Sequence, residues 1–407
     1  MARLPLEGIR VADFSWIING PQIAQWLATM GAEVIKIESQ VYIDIGRTNP
    51  AGMADRKMGS LNRNGFYHML NYGKKAINLN LQTPRGYELA CEIVKKSDFV
   101  LECFPRGASE KLGITYDKMK AVKPDIVMIS VSLLGKTGTE PASWVGWGPM
   151  ACCFVGMFDA QGYPGGTPRQ TGGTWPDYAI ASSVVFHALA ALRHRNRTGE
   201  GQWIDASMGE TVIGQMNEWY MEYFMNARER GQRGNRDEFM APHNTYKCAG
   251  DDKWIAIAVS NDAEWGALCR AAGHPEWTAD SRFEDQAARL KNSDAIDSLL
   301  RPWTRDKDHL ELAAMLQRSG VPAGPVLDSV ELHEDKHLWE WGYWWKMNHH
   351  EVGERILPGM PVKLSNVDKM NFSYPPDLGQ HNREVFTNLL GLSDAEITSL
   401  MEQKVIY

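Results

Sequence analysis

Short apolar runs alternate along the first third of the chain with segments in which apolar residues recur every three or four positions. The apolar runs predict β-strands, and the wider spacing predicts helices between them. The predicted strands cover 9–14, 33–37, 76–81, 98–102 and 126–132. Because strands that alternate with helices pair in parallel, the pattern predicts an α/β fold with a Rossmann-like sheet. The first turn has one glycine where a dinucleotide-binding fingerprint needs three, which disfavours a nicotinamide cofactor.

The most specific local signal lies in the stretch 171–205. Two glycines and a Trp-Pro pair precede Asp177, and apolar residues at helical spacing predict a helix over 178–196. Asp177 is therefore expected at or just before a helix N-terminus, where unpaired N–H groups favour its ionised form. Such a carboxylate can act as a nucleophile or base. An aspartate at this place can also be a simple helix N-cap, and the sequence leaves both interpretations open.

The rest of the chain predicts a second domain and a return to the first. An aromatic and methionine-rich helix is predicted over 209–231, followed by a glycine-punctuated charged linker. Strands at 244–248 and 254–259, with helices after them, predict a smaller α+β domain. The predicted division is 1–208 for the first part of a large Rossmann-like domain, 209–239 for the connecting helix and linker, 240–325 for the small domain, and 326–407 for the segment completing the large domain.

Composition excludes several classes of function. A net charge of -7 without a basic tail disfavours nucleic-acid binding. No apolar run is long enough for a membrane span, and six cysteines without CxxC spacing are typical of a reducing cytoplasm. The eleven histidines form no HExxH motif, so we expect no metal, and we interpret His349-His350 as a polar surface turn.

Several ordered motifs resemble the class III CoA-transferase family, whose members include formyl-CoA and carnitine CoA-transferases. They are PLEGIRVADFS, NGPQIAQWLATMGAEVIKIE, KKAINLNLQTPRGYELACEIVKKSDFVLECFPRGASEKLGI, TGEGQWIDASM and VPAGPV. The resemblance implies a large domain made from both ends of the chain, a small domain between them, and two chains threaded together as interlocked rings. It implies an acyl-CoA donor and a carboxylic acid acceptor as substrates, with coenzyme A carried between them and no metal. The assembly would be a homodimer or a heteromer with a related chain.

The resemblance also assigns roles to particular residues. Asp177 matches the family's nucleophile, which forms a mixed anhydride and then an aspartyl-CoA thioester. Gly172 and Gly173 would close over these intermediates and donate N–H groups to an oxyanion, and Trp147 would line the pocket. The expected contacts to CoA are the turn residues Ile18, Asn19 and Gly20 and the cations Lys74, Lys75, Arg106 and Lys111.

Departures from the family pattern restrict the substrate. Family members carry glutamine, arginine and asparagine where this chain has Ile18, Ser39 and Cys103, and the glycine-rich lid expected near 242–246 is absent. These differences argue against formate and oxalate. Abundant aromatic residues favour a bulky acid such as benzylsuccinate, with succinyl-CoA as donor.

Two alternatives stay open. α-Methylacyl-CoA racemases share the fold but need a histidine in a GHD-type motif, and here the comparable stretch reads VGWGPM, with no histidine between His68 and His187. A non-catalytic partner subunit, in which Asp177 only caps a helix, is the second alternative.

Overall fold

The structure, a computed structural model, describes residues 4–48, 60–170, 172, 174–367 and 370–407. This part of the chain divides into two compact units. The first unit comprises Met1–Met157, Gln170–Met221 and Leu338–Tyr407, and the second comprises Phe158–Arg169 and Glu222–His337. None of the described helices combines the length and apolar character that a membrane crossing requires.

A six-stranded parallel sheet forms the centre of the first unit. Its strands are β1 (Arg10–Asp13), β2 (Glu33–Glu38), β3 (Lys75–Asn78), β4 (Phe99–Glu102), β5 (Val127–Ser132) and β6 (Trp203–Ser207). Their spatial order is β3-β2-β1-β4-β5-β6, with every neighbouring pair parallel. The predicted α/β fold with a parallel sheet is confirmed. From β1 the chain first adds β2 and β3 on one side of the sheet, and it then returns to add β4, β5 and β6 on the other side. A crevice is therefore expected between the carboxyl ends of β1 and β4.

Helices connect and follow the strands. The first eleven are α1 (Asn19–Thr29), α2 (Ile45–Thr48), α3 (Gly65–Asn71), α4 (Pro84–Lys95), α5 (Arg106–Leu112), α6 (Tyr116–Val122), α7 (Gly148–Phe154), α8 (Met157–Ala160), α9 (Trp175–Thr198), α10 (Met208–Gln215) and α11 (Asn217–Asn226). Thr83 caps α4 by accepting a hydrogen bond from the N–H of Gly86, with Pro84 in the first turn.

Successive strand residues point to opposite faces of the sheet, and helices bury both faces. In β4, Phe99 and Leu101 join an apolar cluster with α1 and α9. Val100, between them, joins a second cluster with α4 and α6. The predicted apolar face of α9 lies in the first cluster and fixes this long helix beside α1.

The C-terminal segment returns to the first unit. It contains α17 (Lys336–Glu340), the hairpin β10 (Trp344–His349) and β11 (Gly353–Pro358), α18 (Asn382–Glu384), a π-helical turn (Val385–Leu389) and α19 (Asp394–Glu402). Leu79 forms an antiparallel bridge with Ile406, and the Asn382 side chain accepts a 2.8 Å hydrogen bond from the N–H of Asn78. The first unit is thus built from both ends of the chain.

The second unit holds a three-stranded antiparallel sheet, β7 (His243–Lys247), β8 (Trp254–Ala258) and β9 (Ala323–Val326). Its helices are α12 (Asp262–Ala272), α13 (Gln286–Lys291), α14 (Ser293–Thr304), α15 (His309–Arg318) and α16 (Ser329–Glu334).

The boundaries of this unit differ from those we predicted. Residues 158–169, predicted in the large domain, belong to the second unit because the carbonyl of Gly162 accepts a 2.7 Å bond from the N–H of Gly234. Residues 326–337, predicted in the return segment, are held there by the 2.7 Å ion pair of Lys253 with Asp328.

The prediction of a single helix over 209–231 is wrong. This segment forms two helices, α10 and α11, because the N–H of Met216 closes α10 by bonding to the carbonyl of Ile213, three residues back. No residue of α11 is buried within the described part of the chain, and Phe224 is 77% exposed. Of its aromatic residues, Tyr223 and Phe224 are exposed. In the return segment, α17 comes first and β10 begins at Trp344.

Candidate active site

Asp177 is the third residue of α9. The helix starts at Trp175 rather than at Tyr178 because Pro176, with its fixed φ, suits the first turn. Thr174 holds the N-cap position, and its carbonyl accepts a 3.1 Å hydrogen bond from the Asp177 N–H. Asp177 is therefore not the N-cap, so the interpretation of this residue as a simple cap loses its structural basis.

The Asp177 carboxylate is buried, with 6% of the residue exposed. Its Oδ1 accepts a 3.1 Å hydrogen bond from Nδ2 of Asn19. Burial raises the pKa of Asp177 to about 6, although hydrogen bonds from Asn19, from its own N–H and from the N–H of Gly148 each lower it. The side chain is thus a carboxylate at neutral pH that has lost most of its water, which makes it more basic than an ordinary aspartate.

Two helix starts meet at this carboxylate. Asn19 is the first residue of α1 and Gly148 is the first residue of α7. Because α1 directly follows β1, Asn19 lies at the carboxyl end of the sheet, next to the β1–β4 switch point. The fold thus places the buried carboxylate where open α/β sheets bind their ligands.

The loop between β1 and α1 is tightly constrained. Ile17 has a φ of 61°, which is uncommon for a β-branched residue, and its N–H donates a 3.0 Å bond to Asp44 Oδ1. A Cβ on Gly20 would lie 2.2 Å from the Cβ of Ser15, so only glycine fits there. Of the three predicted turn residues, Ile18, Asn19 and Gly20, Asn19 contacts Asp177 directly.

Sequence reasoning missed the charges beneath this loop. Lys36 and Asp44 form a 3.1 Å ion pair whose side chains are at most 1% exposed. The ammonium of Lys36 also donates a 2.7 Å bond to the carbonyl of Ser15. One signal was available, because Lys36 lies between the apolar residues Ile35 and Ile37 of a strand, where a buried charge must find a partner.

The predicted CoA-binding cations lie in very different surroundings. The ammonium of Lys74 is fully buried and donates to Asp13 Oδ2 at 3.2 Å, to the carbonyl of Pro21 at 2.9 Å and to Asn71 Oδ1 at 2.9 Å. Burial lowers its pKa to about 8, against the opposing effect of Asp13. All three of its protons are used, so this arrangement leaves none for a phosphate.

The other cations are more accessible. Lys75 is one-third exposed and forms 2.7 Å ion pairs with Glu33 and Glu384. Arg106 and Lys111 are exposed on α5, the helix after β4. Among the four predicted cations, these two therefore have the surroundings best suited to a solvated phosphate.

The predicted pocket residues are only partly described. Gly173 lies outside the described residues. Gly172 is exposed, and its carbonyl accepts a 3.3 Å bond from the N–H of Trp175. Trp147 caps α7 directly before Gly148 and is 62% exposed. Trp147 is therefore next in sequence to Gly148, whose N–H donates a hydrogen bond to Asp177.

The predicted surface turn at His349-His350 is wrong for His349, which is buried at the end of β10, whereas His350 is exposed; both imidazoles face Asp377. His350 Nε2 lies 3.1 Å from Asp377 Oδ2, and His349 Nε2 lies 3.5 Å from Oδ1 of the same carboxylate. Potential metal-ligand atoms of these three residues fall within 4.8 Å of one another. However, His349 Nδ1 accepts a 3.2 Å bond from the N–H of Glu351, which places the proton on Nε2, facing Asp377. The two imidazoles therefore lie at ion-pair distance from Asp377, and the absence of a metal remains a prediction.

Fold and site together define an α/β enzyme class with a buried carboxylate at the switch point of a parallel sheet. Residues 6–382 match the profile of CoA-transferase family III. The chain belongs to this family and is a CoA-transferase.

Named relatives match over the full length of the chain. Succinyl-CoA–D-citramalate CoA-transferase of Chloroflexus aurantiacus is 32% identical, with 99% of this chain and 98% of the relative covered. The beta subunit of succinyl-CoA–L-malate CoA-transferase from the same organism is 31% identical, with the same coverage of 99% and 98%. Formyl-CoA:oxalate CoA-transferase of Streptomyces coelicolor is 31% identical with both chains fully covered.

A solved structure shares the fold. The crystal structure of a CAIB/BAIF family protein from Brucella suis is 29% identical and superimposes with a TM-score of 0.84, covering 95% of this chain and 99% of that one.

Proposed function

We propose that this CoA-transferase moves CoA from succinyl-CoA to a carboxylic acid through covalent intermediates on Asp177. The observation that carries the proposal is the buried Asp177 carboxylate at the β1–β4 switch point, with its pKa raised to about 6 and its Oδ1 held by Asn19. A desolvated carboxylate that remains ionised at neutral pH is suited to nucleophilic attack on a thioester.

The reaction begins when a carboxylate oxygen of Asp177 attacks the thioester carbon of the donor. The carbon–sulfur bond breaks, CoA leaves as thiolate, and a mixed anhydride remains on Asp177. The thiolate then attacks Cγ of Asp177 and expels the donor acid, which carries away the bridging oxygen. The result is an aspartyl-CoA thioester, so the energy of the thioester bond is kept without ATP or a metal.

The second half reverses these steps with the acceptor. An oxygen of the acceptor carboxylate attacks Cγ and expels CoA thiolate, which then attacks the acceptor's carbonyl carbon. Asp177 is released with one oxygen from the acceptor. Both intermediates are sensitive to water, which accords with the 6% exposure of this residue.

Exposed cations near the carboxyl ends of the strands suit the CoA phosphates. We assign this role to Arg106 and Lys111 on α5, with the loop at Ile18–Gly20 beside the thioester. Lys75 would contribute only at the cost of its pairs with Glu33 and Glu384. Lys74 is left out of the proposed contacts because its three protons are already bonded. Substitution of Arg106 or Lys111 by methionine should weaken CoA binding and lessen its dependence on salt.

The acceptor is proposed to be a bulky or aromatic acid such as benzylsuccinate. The support is a set of exposed apolar residues around the start of α7, where Gly148 contacts Asp177: Trp144, Val145, Trp147, Met150 and Phe154. The named relatives act on smaller acids, so a test with succinyl-CoA should compare benzylsuccinate, D-citramalate, L-malate and oxalate. Preference for benzylsuccinate supports the proposal, and preference for malate or citramalate contradicts it.

The assembly is proposed to be a dimer of interlocked chains, either identical or related. The exposed aromatic residues of α11 and the existence of a relative named as a beta subunit support it. Mass measurement of the native protein, purified alone and with any co-encoded related chain, distinguishes the two cases. The six unpaired cysteines support a reducing compartment such as the cytoplasm.

Oxygen transfer tests the covalent route. With an acceptor labelled by ¹⁸O in its carboxylate, turnover should place ¹⁸O on Asp177, detected in the peptide mass. The Asp159→Asn variant, altered at an exposed carboxylate, is the matched control and should behave as wild type. Active enzyme that acquires no label at Asp177 would refute the proposal. Deuterium exchange at the substrate's α-carbon would favour the racemase alternative instead.

A further inference from the structure

The side chain of Asn19 is directed at Asp177. In the described part of the chain, its one side-chain hydrogen bond is the 3.1 Å contact from Nδ2 to Asp177 Oδ1. The orientation of the amide is determined, because an ionised carboxylate only accepts hydrogen bonds and the amide nitrogen only donates. Asn19 Oδ1 is buried and has no protein partner among the described residues. The amide therefore contributes to no other described side-chain bond.

The backbone around Asn19 is held by interactions that do not involve Asp177. Ile17 is kept at a φ of 61° by its bond to Asp44, which in turn pairs with the buried Lys36. Gly20 packs against Ser15, where a larger residue has no space. Strain of this kind persists only where the surroundings enforce it. The amide of Asn19 is thus presented to the carboxylate from a preorganised loop.

This contact distinguishes the two oxygens of Asp177. Because Oδ1 accepts the hydrogen bond from Asn19, we assign the attack on the donor thioester to Oδ2. After that attack Oδ2 bridges the anhydride and Oδ1 is the carbonyl oxygen. When thiolate attacks Cγ, the electron pair of the C=O bond moves onto Oδ1. Negative charge therefore develops on the atom that Asn19 contacts, at a distance typical of oxyanion-hole donors.

We infer that Asn19 is a catalytic residue that stabilises the oxyanion on Asp177 Oδ1 whenever Cγ of Asp177 is attacked. This inference rests on the proposed function. It assigns Asn19 to the two steps at the aspartyl carbon, and to neither of the two steps at a substrate carbonyl carbon. The stabilisation is differential because Oδ1 is nearly neutral in the anhydride and the thioester and fully charged between them.

The test follows formation of the aspartyl-CoA thioester, which requires one step at the aspartyl carbon after the first attack on the donor. Enzyme is mixed with succinyl-CoA without acceptor, quenched at intervals, and the CoA thioester on the Asp177 peptide is measured by mass spectrometry. Asn19→Ala removes the donor, and Asn19→Leu keeps roughly the size of the side chain while removing the amide N–H groups without adding a charge beside Asp177. Asn196→Ala, at an exposed position of α9, is the matched control. CoA affinity and melting temperature are measured for all variants.

The thioester should form on the order of 100-fold more slowly in both Asn19 variants, at unchanged CoA affinity and melting temperature. The Asn196→Ala variant should match wild type. Formation at the wild-type rate in Asn19→Ala would overturn the inference. A parallel fall in rate, CoA affinity and melting temperature would assign Asn19 a purely structural role and would also overturn it. Failure of the proposed function is distinguishable, because wild type itself would then form no thioester.

Discussion

Replacing Asp177 with asparagine should stabilise the protein at pH 8 while removing its activity. Burial raises the pKa of this carboxyl from 3.8 to about 6, a shift of about 2 units. At 1.36 kcal/mol per unit, the ionised side chain costs the fold about 3 kcal/mol at pH 8. Asparagine has the same shape and no charge, so the variant avoids this cost. The nucleophile would thus be a site where stability is given up for reactivity.

The stabilisation has a defined pH dependence. Because the folded-state pKa is raised, the contribution of Asp177 to stability is fully present below pH 3.8 and is lost as pH rises through about 6. The gain on substitution should therefore fall from about 3 kcal/mol at pH 8 to about 1.5 kcal/mol at pH 5. An effect of shape or packing alone would not change over this interval.

The assay is denaturant unfolding of wild type and Asp177→Asn at pH 5, 6.5 and 8, followed by tryptophan fluorescence. Asp159→Asn, with its exposed side chain, is the control and should show no comparable gain. A variant no more stable than wild type at pH 8 would refute the reasoning. So would a gain that is the same at all three pH values.

Three further predictions test the surroundings of the site. The kcat/KM for the donor acyl-CoA should fall about tenfold per pH unit below about pH 6, where Asp177 becomes protonated, and a flat profile down to pH 5 would contradict this. Gly20→Ala should abolish activity and cost about 3 kcal/mol because its Cβ would lie 2.2 Å from a buried side chain, while Gly107→Ala, in open space, should be tolerated. Lys74→Met should destabilise the fold by about 3–5 kcal/mol by leaving Asp13 buried without its partner, and Lys75→Met by less than about 1 kcal/mol. A stable Lys74→Met protein with weakened CoA binding would instead support the role that the sequence predicted for this lysine.

The sequence predicted the elements that hydrophobic periodicity determines. The parallel strands follow from short apolar runs and the buried face of α9 from a spacing of three and four residues, and both are confirmed. Periodicity could not reveal the break at Met216, because apolar residues continue on both sides of it. The distinction between a long helix and two short ones depends on tertiary contacts that the local pattern does not encode.

The chemistry of individual side chains was less predictable. Lys74 and Lys75 are adjacent in sequence, yet one ammonium is fully buried and the other is one-third exposed; Lys74 lies just before β3 and Lys75 is its first residue. The contact of Asn19 with Asp177 joins positions 158 residues apart. The resemblance to a family identified both segments, but only the fold shows that the two side chains meet.

The most direct test of the central claim is chemical trapping at Asp177. Wild type is incubated with succinyl-CoA, then treated with hydroxylamine or borohydride, and the peptide containing Asp177 is analysed by mass spectrometry. We expect a modification at Asp177 that requires acyl-CoA and is absent in Asp177→Ala. An unmodified peptide, in protein shown to bind the donor and to transfer CoA, would contradict the covalent role of Asp177.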